Sequence, residues 1–288
     1  MIPPAFDYHA PKTVGEAIHL LGELGGDAKL LAGGHSLLPM MKLRFAQPAH
    51  LIDLNRIPEL RGISADGDTV VIAAMTVENE LIASDLLRAK LPLLAEAPKL
   101  IADPQVRNRG TIGGDIAHGD PANDHPALMI ALDATLVLQG PKGRRSVKAD
   151  DFFIGTYMTA LADDEILVEI RAPAFAAKTG WAYEKLKRKT GDWATAGAAV
   201  VMRLDGGKVS HLRIALTNVA PKALRATGAE QALIGQLLDD AGIDKAAAAA
   251  MAACDPAADL RGDVEYKTAM AGQMLKRALR AAAARCQA

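Results

Sequence analysis

The sequence predicts an α+β protein, and three features predict it. A helix-spaced apolar segment near the N-terminus alternates with short apolar strands. The middle of the chain carries strand pairs punctuated by Asp-Gly and Gly-Pro turns. Residues 229–288 are Ala-rich and helix-prone. At 288 residues, half of them hydrophobic, the chain has room for a substantial core and for roughly two domains of about 150 residues.

Residues 12–24 place apolar side chains at helical spacing, with Thr13 as N-cap and Glu16 three positions on. Residues 28–32 form a short apolar strand that runs into Gly33. Residues 37–42 open a helix or turn, and residues 50–54 form another strand. The stretch 1–60 therefore reads as a small α/β unit. Residues 62–63 and 69–74 pair as strands across Asp66-Gly67. Residues 76–99 are mostly helical, 109–115 form a loop, and 126–132 are apolar and compact. A hairpin joins 135–139 to 144–147, and 165–170 is a strand ending at Ala172-Pro173. Residues 174–180 are the linker. Beyond it, 195–204 and 209–218 read as antiparallel strands around Asp205-Gly206-Gly207. The units are 1–60, 61–176 and 177–288, with no internal repeat.

Composition excludes several functions. With 33 basic against 34 acidic residues, the chain lacks the basic face of a nucleic-acid binder. Its two cysteines, Cys254 and Cys286, cannot make an all-cysteine iron–sulfur cluster or a four-cysteine zinc site. The first nine residues lack a charged stretch followed by an apolar core, and no apolar run approaches the ~20 residues of a membrane span. The expectation is a cytoplasmic protein in a reducing compartment.

Two Gly-Gly loops carry the chemistry: Leu30-Leu31-Ala32-Gly33-Gly34-His35-Ser36-Leu37 and Arg109-Gly110-Thr111-Ile112-Gly113-Gly114-Asp115-Ile116. Glycine lets backbone N–H groups approach an anion closely, and a following helix start adds a favourable dipole. Either loop alone reads as an ordinary turn. The pair points to a ligand with two phosphates, gripped from two sides. A side chain at Gly33 or Gly113 is expected to fill the anion's space. The Asp115 carboxylate would repel phosphate, so its expected partner is a sugar hydroxyl or a backbone N–H. Neither loop matches Gly-x-x-x-x-Gly-Lys-Ser/Thr or Gly-x-Gly-x-x-Gly.

Other candidates are open to two readings. The basic run Lys185-Leu186-Lys187-Arg188-Lys189 is a solvated strand face or an anion or partner site. Trp193 packs in the core or stacks on a planar ligand. His118, Asp120, Asn123, Asp124 and His125 lie around a turn. No metal is assigned to them, and a ribose contact by one of the carboxylates is the preferred reading. No Ser-His-Asp or Cys-His set can be argued from order alone, and no residue is assigned as an acid–base catalyst. His35 is a candidate for tuning or for binding the ligand.

The same residues resemble the flavin-binding signatures of molybdenum hydroxylase flavoprotein subunits, and within them the medium subunits of aerobic carbon monoxide dehydrogenases. Ala32-Gly33-Gly34-His35-Ser36 and Thr111-Ile112-Gly113-Gly114-Asp115 carry the likeness. So do residues 101–107, 183–189, 191–196 and the tail 263–272. The resemblance implies a two-subdomain FAD-binding fold of the vanillyl-alcohol-oxidase type, followed by a C-terminal three-stranded antiparallel sheet with helices. It implies FAD, with Ala32 through Leu37 and Thr111 through Asp115 at the pyrophosphate and ribityl chain. Asp124 falls at an adenosine ribose, Ile101 and Ala102 at the flavin–adenosine region, and Leu167 and Lys185 near the isoalloxazine. Trp193 falls where the family has a bulky residue, often Tyr, against the ring. Such a subunit accepts electrons from [2Fe-2S] clusters on a small subunit. A large subunit holds the molybdenum cofactor, and an external acceptor such as a quinone takes the electrons. The expected assembly is a dimer of heterotrimers, associated with the inner face of the membrane through the complex. Alternatives are the same module serving an N-heterocycle or aldehyde hydroxylase, a stand-alone flavin oxidoreductase, and a non-catalytic nucleotide-binding protein.

Overall fold

A computed structural model describes residues 2–286. The chain opens with β1 (Asp7–His9), α1 (Val14–Leu24), β2 (Ala28–Leu31), α2 (Leu37–Lys42) and β3 (His50–Asp53). The strands make a parallel sheet in the order β1-β3-β2. The side chain of Thr13 caps α1 by accepting from the Glu16 N–H. The helix buries Val14, Ala17, Ile18 and Leu21 against Ile52 and Leu54. Each fully buried aliphatic side chain contributes about 1.5–3 kcal/mol, enough to hold so small a sheet to its helix.

The second part begins with β4 (Ile63–Asp66) and β5 (Thr69–Ala73). Six helices follow: α3 (Glu78–Ala83), α4 (Asp85–Lys90), α5 (Pro92–Glu96), α6 (Pro104–Arg107), α7 (Ile112–His118) and α8 (Asp124–Ala131). Next come β6 (Thr135–Gly140), β7 (Gly143–Lys148), α9 (Ala149–Phe152), β8 (Phe153–Gly155), β9 (Met158–Thr159) and β10 (Ile166–Pro173). Five strands form an antiparallel sheet, β4-β5-β10-β6-β7. Within 76–99 the expected helical stretch breaks into three short helices. Ser84 stops one and caps the next, and Pro92 starts the third.

The segment 109–115, expected as a loop, is partly helical. Helix α7 begins at Ile112, so Gly113 and Gly114 lie in its first turn. Thr111 makes this possible by capping the helix, its Oγ1 accepting from the Gly114 N–H at 3.2 Å.

The third part holds β11 (Thr179–Leu186), β12 (Ala196–Asp205), β13 (Lys208–Thr217), β14 (Leu224–Arg225), α10 (Thr227–Leu233), α11 (Asp240–Ala252) and α12 (Val264–Cys286). Three long antiparallel strands form the sheet, as expected, and the two-residue β14 adds a fourth. Along β12 the faces alternate. Ala198, Val200 and Met202 pack under the C-terminal helices, whereas Ala199 and Val201 join the core of the second part. The sheet is thus buried on both sides. The cores also cross the boundaries at 60 and 176: Met75, Val137 and Val168 pack with α1, and Trp181 and Tyr183 pack with the second part.

Candidate functional site

The two Gly-Gly segments meet. A side chain at Gly33 would run into the carbonyl oxygen of Arg109 and come within 2.8 Å of the Gly110 Cα. One at Gly114 would reach within 3.2 Å of the Ala32 Cβ. The segments therefore touch backbone to backbone.

Their free donors differ. Among the described residues, the N–H groups of Gly33, Gly34, His35, Ser36 and Leu37 donate to no protein acceptor. Gly34 has a φ of 78°, which turns successive N–H groups to one side. The second segment has no such surplus. Ile112 N–H donates to Thr76 O (3.1 Å), Gly113 to Ala74 O (2.8 Å) and Asp115 to Thr111 O (3.0 Å), while Gly114 donates to the Thr111 hydroxyl. A side chain at Gly113 would strike Ala74, whose Cβ lies 2.5 Å from the added atom. The expectation that side chains at Gly33 and Gly113 would fill the anion's space is corrected here: both would strike protein. The five unpaired donors suit a diphosphate, and the second segment is the floor against which they are held.

His35 is exposed, and its Nδ1–H donates to the Gly33 carbonyl at 2.9 Å, which stiffens the cradle. Asp115 follows the second segment. Its Oδ2 is buried with no hydrogen-bond partner, and burial pushes its carboxyl up to about 7, against the opposing charge of His125.

Asp124 and Lys185, which the resemblance put at the adenosine ribose and near the isoalloxazine respectively, are brought into one buried ion pair of 2.6 Å. Tyr183 donates its hydroxyl to the other Asp124 oxygen. Tyr183 and Lys185 alternate along β11 and so point to one face, and Lys187 lies just beyond its end. Lys187 donates to the Leu100 carbonyl at 2.8 Å and Lys185 to the same oxygen at 3.4 Å. Arg107 donates to the Ile101 carbonyl at 2.7 Å, and Asp103 caps α6. Ala102 is thereby held at a φ of 43°, in the left-handed region. The basic run is not a plain solvated face, because Lys185, Lys187 and Arg188 all bind protein groups.

Trp193 is 48% exposed, so the core-packing reading fails. Its indole N–H donates to Asn123 Oδ1 at 3.3 Å, and the Arg261 guanidinium lies 5.4 Å from its ring centroid. Asn123 in turn donates to the Asp115 carbonyl, which ties the indole to the second segment. Leu167 is buried on β10, the strand against which α7 packs.

Asp120, Asn123, Asp124 and His125, around the turn at 118–125, have hydrogen-bond partners in the protein. Asp120 accepts from the Ala122 N–H, and His125 binds Glu78. Among the described residues no three His, Cys, Asp or Glu side chains are arranged to hold a metal ion. Glu78 was missed by sequence reasoning. It stands 47 residues from His125, and no local pattern connects the two.

A loop with five free N–H groups, braced by a second glycine segment and flanked by an exposed indole, defines a site suited to a diphosphate-bearing cofactor. Residues 4–175 match the family of the FAD binding domain in molybdopterin dehydrogenase, and residues 181–282 that of the CO dehydrogenase flavoprotein C-terminal domain. The chain belongs to the FAD-binding medium-chain family of carbon monoxide dehydrogenase, a family of oxidoreductase subunits. It is 73% identical to the carbon monoxide dehydrogenase medium chain of Hydrogenophaga pseudoflava, over 99% of this chain and all of that one. It is 53% identical to the medium chain of Afipia carboxidovorans, over the full length of both. A solved carbon monoxide dehydrogenase from Hydrogenophaga pseudoflava, lacking the Mo-pyranopterin moiety, superposes with a TM-score of 0.99. It has 75% identity and covers 99% of this chain and all of that chain. Among the described residues no helix is long and apolar enough to cross a membrane.

Proposed function

We propose that the chain is the FAD-carrying electron-transfer subunit of a molybdenum and iron–sulfur carbon monoxide dehydrogenase. The observation that carries the reading is the row of five unpaired N–H groups from Gly33 to Leu37, seated on the backbone of the second segment. It fits the diphosphate of FAD, and full-length likeness to carbon monoxide dehydrogenase medium chains supports the substrate of the whole complex. When bound, FAD supplies the redox chemistry, taking electrons from iron–sulfur clusters and passing them to an external acceptor such as a quinone.

This chain's residues bind and orient. Ala32 through Leu37 hold the diphosphate. Thr111 through Asp115 brace that loop and present one carboxyl to the sugar chain. Ile101 and Ala102, pinned by Arg107, Lys185 and Lys187, shape the adjoining wall. Asp124 with Lys185 lines the cleft, Leu167 supports it from the sheet, and Trp193 stacks against the ring. No residue is assigned a proton-transfer step. The molybdenum cofactor and [2Fe-2S] clusters belong to a large and a small partner subunit, in a dimer of heterotrimers in the cytoplasm.

Affinity purification of the chain from its native host tests this. The expected result is a complex with one FAD per copy of this chain that reduces a dye with CO. A complex that oxidises N-heterocycles or aldehydes but not CO would move the substrate within the same family. Turnover by the chain alone would overturn the subunit reading.

A further inference from the structure

A buried charge cluster lies behind the second Gly-Gly segment. Glu78, at the start of α3, and His125, on α8, are 3% and 0% exposed, with His125 Nε2 2.9 Å from Glu78 Oε2. The other ring nitrogen, Nδ1, is buried and has no hydrogen-bond partner. The same holds for Oδ2 of Asp115 on α7.

These groups act on one another. Burial pulls His125 down, but the Glu78 carboxylate overrides it and holds the imidazole at about 9. Burial pushes Asp115 up to about 7; Glu78, Asp124 and Asp120 add to that, and His125 opposes it. Lys185 and Tyr183 reach the cluster from β11 through Asp124. Near neutrality His125 therefore keeps its charge while Asp115 titrates.

What Asp115 meets follows from the backbone. The N–H groups of Ile112 through Asp115 are all donated to protein acceptors, so this stretch offers a phosphate no free backbone N–H. The diphosphate belongs on Gly33–Leu37, which leaves the hydroxyls of the cofactor's sugar chain for the Asp115 carboxyl. An ionised carboxylate accepts such a hydroxyl more strongly than a neutral acid does.

We propose that the buried Glu78–His125 pair behind the second segment is a positioning pair for Asp115, whose unpartnered carboxyl oxygen accepts from the FAD sugar chain, so that cofactor retention rises with pH. The proposal rests on the FAD reading above. Bound FAD stabilises ionised Asp115, so binding releases a proton and tightens as pH rises towards the titration of the free chain.

The test is FAD release from the assembled complex after dilution, followed by flavin fluorescence between about pH 6 and about pH 8. For one pKa unit between free and occupied states, the affinity gain is about tenfold. In His125→Gln the rise moves to higher pH, so FAD is lost faster at neutrality and retention recovers in alkali. A purely structural lesion would not recover. In Asp115→Asn the profile is flat. A flat wild-type profile overturns the proposal, as does a His125→Gln defect of equal size at every pH. Should His125→Gln fail to assemble, Asp115→Asn decides: a wild-type slope in that variant overturns it. A complex without flavin at any pH overturns the FAD reading as well, whereas retained flavin with a flat profile overturns only this one.

Discussion

Around Gly33 the backbone keeps five N–H groups unpaired; around Gly113 every N–H from Ile112 to Asp115 is given to the protein. The first region can bind an anion because its donors have no better partner. The second has no free backbone N–H to offer, because Thr111 and the carbonyls of Ala74 and Thr76 have taken them. Its glycines serve close packing instead, with Gly113 against Ala74 and Gly114 against Ala32. A Gly-Gly pair is therefore not one kind of site, and the partners of its N–H groups decide which kind it is.

The largest effect that would break this comparison is expected from Gly113→Val. Gly113 is buried between α7 and the end of β5, so the added atoms have nowhere to go. A loss of about 3 kcal/mol is expected, read as a lower midpoint in chemical denaturation, with FAD lost as a consequence. Gly33→Val comes next. Its neighbours are the backbone of Arg109 and Gly110 in a half-buried loop, so the loop is displaced and the fold survives. FAD affinity should fall by tenfold or more, about 1.4 kcal/mol, with a smaller change in the denaturation midpoint than for Gly113→Val. Equal midpoints for the two variants would erase the distinction. The smallest effect is expected from Thr111→Ala, which removes the cap of α7 and costs about 1 kcal/mol. Flavin content at saturating FAD should stay near that of the unaltered complex. If it fell as far as in Gly33→Val, the second segment would be a binding element in its own right.

Much of the architecture could be read along the chain. The long antiparallel strands β12 and β13 and the β6–β7 hairpin were predicted because glycine and proline punctuate them at Asp205-Gly206-Gly207 and Gly140-Pro141-Lys142-Gly143. Three features escaped. Strands β1, β8, β9 and β14 have only two or three residues each, too few for a period to show. The start of α7 was hidden because two successive glycines weigh against a helix, and only the Thr111 cap and the packing on Ala74 repay that cost. The exposure of Trp193 depends on the turn that follows β11 and on the distant Asn123 and Arg261.

Local sequence was enough for the α+β class, the order of the main elements and the first cradle. Each of these depends on residues within a few positions of one another, and backbone preferences act over that range. The assignment of donors was decided in three dimensions. Whether Gly113 N–H faces a ligand or the Ala74 carbonyl depends on where β5 ends relative to α7, and the Glu78–His125 pair exists only because the fold brings the start of α3 to the start of α8 across 47 residues of chain. A hydrogen-bonding group looks the same in sequence whether it is satisfied or free; only the packed fold brings the acceptor to it or withholds it.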